Sequence, residues 1–162
     1  MNIIIVNIRR SGAILPQTQV FNLGRSSPDK LFKALSNDFT HRDIHKTKAI
    51  HQVKTVEEAV ISYKIDLCKK VKSGVKQKII ALRYLYDKCI ELHKQNKNIY
   101  FACYCMDELK PKDYDHVCHC QPLRDIILNK WNKDNANNPA LIIKSEVISI
   151  NQPILGFNGL KN

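Results

Sequence analysis

Ile3-Ile4-Ile5-Val6-Asn7-Ile8-Arg9-Arg10 is the stretch whose reading decides the fold. Four consecutive apolar residues, three of them isoleucine, show no helical period and predict a buried central strand, while Asn7, Arg9 and Arg10 mark its exposed exit. Open α/β sheets take their ligands at such exits. Working outward, Val20-Phe21-Asn22-Leu23 predicts a second strand that runs into Gly24-Arg25-Ser26-Ser27-Pro28. Gly24 permits a tight turn, and Ser27 before Pro28 predicts the start of a short helix over 29–35.

The polar, histidine-bearing stretch 37–53 reads as a loop or mobile flap. Thr55-Val56-Glu57-Glu58 has the form of a capping box, with Thr55 as cap and Glu58 reaching back to its amide. Ala59, Val60, Tyr63, Leu67 and Val71 follow at helical spacing, and Gly74 interrupts them. A second long helix is predicted from the stripe Ile79, Leu82, Leu85, Tyr86, Cys89, Ile90 and Leu92. Residues 99–104 then predict another core strand, 105–120 a loop, and Pro122 the first turn of a last helix with Leu123, Ile126, Ile127 and Trp131 on its buried face. Residues 141–143 and 147–150 read as late strands. Strands alternating with helices predict an α/β domain with a mainly parallel sheet, one domain over 1–150 and an irregular tail over 151–162.

The chain has 162 residues, of which 44% are hydrophobic and 25% charged, enough to bury one core without disulfides. No apolar run approaches the ~20 residues that span a bilayer, and no basic segment leads into an apolar core at the start, so the expected location is the cytoplasm. There the six cysteines are thiols or metal ligands rather than disulfides. The net charge of +11 favours anionic partners, namely nucleotides, nucleic acid or an acidic protein surface. The competing reading is solvated lysine faces, since much of the excess sits at Lys64, Lys69, Lys70, Lys72, Lys76 and Lys78 on predicted helices.

Two groups of residues can carry chemistry. The first is Cys103-Tyr104-Cys105 with Cys118-His119-Cys120, and three readings of it stand open. Four of Cys103, Cys105, Cys118, His119 and Cys120 can hold zinc if the loop folds back, although zinc ligands in a pair are more often two to four residues apart. Cys118, just ahead of a helix amino terminus, can be a reactive thiol with His119 moving protons, as a catalytic pair. The cysteines can also be small core residues, which is the reading for Cys68 and Cys89 within helices. The second group is Asn7, Arg9, Gly24, Arg25 and Ser27, where an arginine beside a glycine turn and a helix start suits phosphate or carboxylate. Neither a dinucleotide-binding glycine motif nor a P-loop is present.

Val6-Asn7-Ile8-Arg9, Leu23-Gly24-Arg25-Ser26-Ser27, Cys103-Tyr104-Cys105 and Cys118-His119, in that order over positions 3 to 130, resemble the domain of unknown function 4326 family of phage and bacterial proteins. The chain departs from the family pattern at Asp29-Lys30-Leu31-Phe32, where members carry Gly-Asn-Pro-Phe, and in a longer loop between Cys105 and Cys118. The resemblance implies a small Rossmann-like, three-layer α/β fold, similar to families that bind nucleotides, and an origin in a virus or mobile element, with the host cytoplasm as its location. It supplies no established activity.

The leading expectation is a protein that binds a nucleotide or nucleobase derivative at the strand exits. Asn7, Arg9, Gly24, Arg25, Ser27 and Cys103 would line that site, with Cys118 and His119 at the reacting end. It would either process the ligand or sequester a nucleotide signal as a counter-defence protein. The alternative is a basic module that binds nucleic acid or inhibits a protein, with the cysteines as a structural zinc site. Whether the chain is an enzyme, and whether it pairs with a second copy, stay open at this stage.

Overall fold

A computed structural model of the chain describes residues 1–8, 15–104 and 118–137. The first strand, β1 (Ile3–Asn7), lies where the apolar run predicts a strand, but among the described residues it is an outer strand with Ile4 exposed rather than a buried central one, because β5 takes the middle of the sheet. After it come β2 (Val20–Asn22), α1 (Lys30–Ala34), β3 (Phe39–Thr40), β4 (His51–Gln52), α2 (Val56–Lys72), α3 (Lys76–Lys94), β5 (Ile99–Cys103) and α4 (Cys120–Asp134). Arg9, Cys105 and the stretches 141–143, 147–150 and 151–162 fall outside the described residues.

β1, β5 and β2 form a parallel sheet in that order, with Ile3 paired to Ile99, Asn7 to Cys103 and Phe21 to Phe101. The α/β class and the parallel sheet are therefore as expected. β5 is central, and its Ile99, Phe101, Ala102 and Cys103 are fully buried, as the middle strand of a parallel sheet requires. Because all three strands run the same way, Asn7, Asn22 and Cys103 end at one edge of the sheet. The chain passes from β1 to β2 and then returns to fill the gap with β5.

One hydrophobic cluster joins the sheet residues Ile3, Phe21 and Phe101 to Leu82, Leu85 and Cys89 of α3 and to Leu123 and Ile127 of α4. Fully burying each of these large side chains contributes about 1.5–3 kcal/mol. The long helices keep the predicted stripes. α2 ends where Gly74 takes φ 77°, a left-handed conformation that suits glycine and frees the chain to start α3 two residues later. No helix among the described residues is long and apolar enough to cross a membrane.

Three local expectations are corrected. The helix after β2 begins at Lys30 rather than at Ser27, because the Asp29 carboxylate caps it by accepting from the amides of Leu31 and Phe32 at 2.8 and 3.1 Å. Ser27 instead closes a turn, its amide donating to the Gly24 carbonyl at 3.0 Å. At α2 the Thr55 hydroxyl accepts from the Glu58 amide as expected, but the Glu58 carboxylate accepts from Lys54, one residue before the cap. Stretch 37–53 is not a bare loop: β3 and β4 pair in parallel, and the Phe39 ring lies against His51 at 4.9 Å. Pro122 falls in the first turn of α4, which opens at Cys120, as expected; the proline is tolerated there because first-turn amides lack partners inside a helix.

Candidate metal centre at the sheet edge

Cys103 is the last residue of β5, and Cys118, His119 and Cys120 lead into α4. All four are at most 2% exposed, and their ligand atoms lie within 4.8 Å of one another. The Sγ atoms of Cys103 and Cys118 are 2.9 Å apart. This buried group can hold a metal ion.

The turn into α4 is shaped by the cysteine itself. The Cys120 amide donates to Cys118 Sγ at 3.4 Å, and the Cys118 amide donates to Gln121 Oε1 at 3.1 Å. The two bonds tie Cys118 to the first turn of α4 from just ahead of its His119 cap, and an amide aimed at sulfur favours the thiolate that a metal needs. His119 is fixed from two sides. Its Nε2 donates to the Leu23 carbonyl at 2.9 Å, and its ring stands edge-on to Tyr63 at 5.5 Å. Tyr63 is held in turn by its hydroxyl, which donates to the Leu35 carbonyl at 2.5 Å. Burial pushes the Tyr63 hydroxyl well above its ordinary pKa, so it stays a neutral donor.

In a neutral imidazole a proton on Nε2 leaves the lone pair on Nδ1. Metal-bound histidines commonly donate their other N–H to a backbone carbonyl in this way, which sets tautomer and ring orientation. Three sulfurs and one imidazole make a soft donor set that suits zinc or copper(I) and not magnesium or calcium, which take oxygen ligands.

The structure brings Asn7 to the same edge, 2% exposed and in register with Cys103. Gly24 sits at a close approach: its amide donates to Asn22 Oδ1 at 3.0 Å, and a Cβ there would lie 3.2 Å from that same oxygen. Arg25 turns to the backbone, its Nε donating to the Asn37 carbonyl at 2.5 Å and its Nη2 to the Phe39 carbonyl at 2.9 Å. Among the described residues, the Ser27 hydroxyl is the buried side-chain oxygen without a hydrogen-bond partner. Cys89 is buried and Cys68 half-buried within their helices, and burial pushes the Cys89 thiol up, as befits a core residue.

Sequence reasoning missed the Leu23 carbonyl, Tyr63 and Gln121 as parts of the centre. Gln121 had a signal, since it stands three residues after Cys118 at capping-box spacing. Tyr63 was legible only as one apolar position of a helical stripe. No family model, no curated protein and no solved structure matches the chain.

Proposed function

We propose that this chain is a zinc-stabilised binding domain for an anionic, nucleotide-like ligand, with zinc on Cys103, Cys118, His119 and Cys120. The carrying observation is that four buried ligand atoms of matched softness meet at the ligand-binding edge of a parallel sheet. Zn–S bonds of ~2.3 Å set tetrahedral sulfurs about 3.8 Å apart, so metal entry opens the Cys103 and Cys118 pair by a little under ~1 Å. Four protein donors leave no open coordination position, which makes the metal structural. This reading assigns Cys118 and His119 to the metal rather than to covalent catalysis, and their burial supports that assignment.

The ligand would sit beside the metal, at the exits of β1 and β2. The shared carboxyl ends of the three parallel strands, the unpartnered Ser27 hydroxyl and the charge of +11 support an anion at this place. Arg25 then shapes the turn through two carbonyls instead of being the principal phosphate donor. With no open metal position, the reading favours a binder that sequesters its ligand over an enzyme that turns it over. The test is titration calorimetry of the metal-loaded protein with nucleoside mono- and diphosphates. The reading expects micromolar binding that Ser27→Ala weakens, and no product; absence of binding by any nucleotide contradicts it.

A second reading has its own observation. Lys69, Lys72 and Lys76 are exposed together where α2 meets α3, whereas Lys70 is paired with Asp66 at 2.7 Å and Lys78 donates to the Ala34 carbonyl. That basic corner suits nucleic acid or an acidic protein. Binding there falls steeply with salt and with Lys→Glu changes at those three positions, and it ignores Ser27→Ala.

A further inference from the structure

The metal centre and the 24–27 turn share one circuit of contacts. From Leu23 the circuit runs through its carbonyl to His119 Nε2, and from the His119 ring to Tyr63 on α2. One turn earlier on α2 the Ala59 carbonyl accepts from Asn37 Nδ2 at 3.2 Å, and the Asn37 carbonyl accepts from Arg25 Nε. Arg25 is two residues from Leu23, which closes the loop. The links of the circuit are hydrogen bonds, a ring contact, a helix turn and two residues of backbone, so displacement of one member is felt by the next.

We infer that His119 ligates the metal through Nδ1 and that its Nε2–H bond to Leu23 makes metal occupancy the lock on the 24–27 turn. The inference deepens the proposed zinc site and rests on it. A metal on Nδ1 withdraws electron density from the ring, strengthens Nε2–H as a donor, and fixes both tautomer and orientation. Without metal the ring is held by the Leu23 carbonyl and the Tyr63 edge contact alone, and a bond to Nδ1 adds a third anchor that keeps Nε2–H aimed at that carbonyl. The residue after that carbonyl is Gly24, whose amide bond to Asn22 Oδ1 and whose carbonyl bond from the Ser27 amide define the turn. Ser27 carries the buried hydroxyl that awaits a partner, so the same lock positions the group offered to the ligand. His119 is thus a metal ligand and a positioning residue for the turn.

The test uses the full chain, stripped of metal and reloaded with zinc or with cadmium-113. Two readouts apply. In the cadmium form, NMR coupling to His119 is expected at Nδ1; coupling at Nε2 overturns the assignment. In the zinc form, hydrogen exchange at the Gly24 and Ser27 amides is expected to slow by roughly tenfold or more against the metal-free chain. His119→Cys supplies a fourth ligand but no bond to Leu23. It is expected to bind zinc one to one and show no slowing at those amides. Equal slowing in His119→Cys and wild type overturns the lock while leaving the zinc site standing. Failure of the wild-type chain to bind either metal instead removes the site on which the lock depends. If His119→Cys does not fold, the cadmium coupling and the wild-type exchange comparison still decide the matter.

Discussion

His119 Nε2 lies 2.9 Å from the Leu23 carbonyl oxygen, a bond that joins the residue before α4 to the exit of β2 across 96 positions of sequence. Both groups are buried, so neither can turn to water for a substitute. Removing the ring orphans the carbonyl, which costs about 1–3 kcal/mol independently of any metal. His119→Ala should therefore be less stable than wild type by that amount even in excess chelator. Urea denaturation of both proteins with chelator present checks this, and coincident midpoints would show that the bond carries no stability.

Arg25 holds the turn after β2 to the segment that forms β3. Its two donated bonds are charge-assisted and part-buried. Arg25→Ala should cost about 2 kcal/mol, and Arg25→Lys about half of that, since a single ammonium cannot span both carbonyls. The urea midpoint reads this directly. An Arg25 variant that loses ligand affinity must be compared at matched stability before the loss is assigned to a direct contact.

β5, α2 and α3 were legible because their apolar residues follow the period of the element that buries them, whereas β1 was legible as a strand but not in its outer position, which leaves Ile4 exposed. Ile3 to Val6 and Ile99 to Cys103 are continuous apolar runs, and Leu82, Leu85 and Cys89 repeat at helical spacing. β3 and β4 are two residues each, too short to show any period, and are set by pairing and by the Arg25 clamp. At the site, the clustering of Cys103 with Cys118, His119 and Cys120 was visible in the residue types. The partner of His119 was not, because a backbone carbonyl is present at every position and only the fold selects Leu23. The backbone partners of Arg25 were hidden for a related reason: the sequence shows a cation beside a glycine but not the carbonyls it meets.

Gly74 separates α2 from α3 with φ 77°, and no atom lies within 4 Å of where its Cβ would be. The cost of a side chain there is therefore conformational and not steric. Gly74→Ala should lose about 1 kcal/mol and Gly74→Asn less, since asparagine tolerates the left-handed region. Thermal midpoints of the two variants give the order.

At the end of α4, Tyr86 donates to Asp134 Oδ2 at 2.5 Å, and Lys130 donates to Oδ1. Burial pushes the Asp134 carboxyl up, but the Lys130 ammonium and the Tyr86 hydroxyl overcome it and hold it below the usual carboxylate range. A carboxyl whose folded value is depressed contributes stability above its unfolded value near ~3.9 and loses it as pH falls through the folded value. Asp134→Asn should thus be less stable than wild type at neutral pH, by no more than ~1 kcal/mol for a solvent-screened pair. The difference should shrink below about pH 4. Denaturation at pH 7 and pH 3 checks both the sign and the window.

The most direct test of the metal centre is intact-mass analysis of freshly purified protein, native against denatured, with the metal identified by elemental analysis. The account predicts one zinc ion per chain in the native spectrum, lost on denaturation and absent from Cys118→Ser and Cys103→Ser. A bare native chain would contradict it, as would a chain lighter by two hydrogens with Cys103 and Cys118 joined as a disulfide.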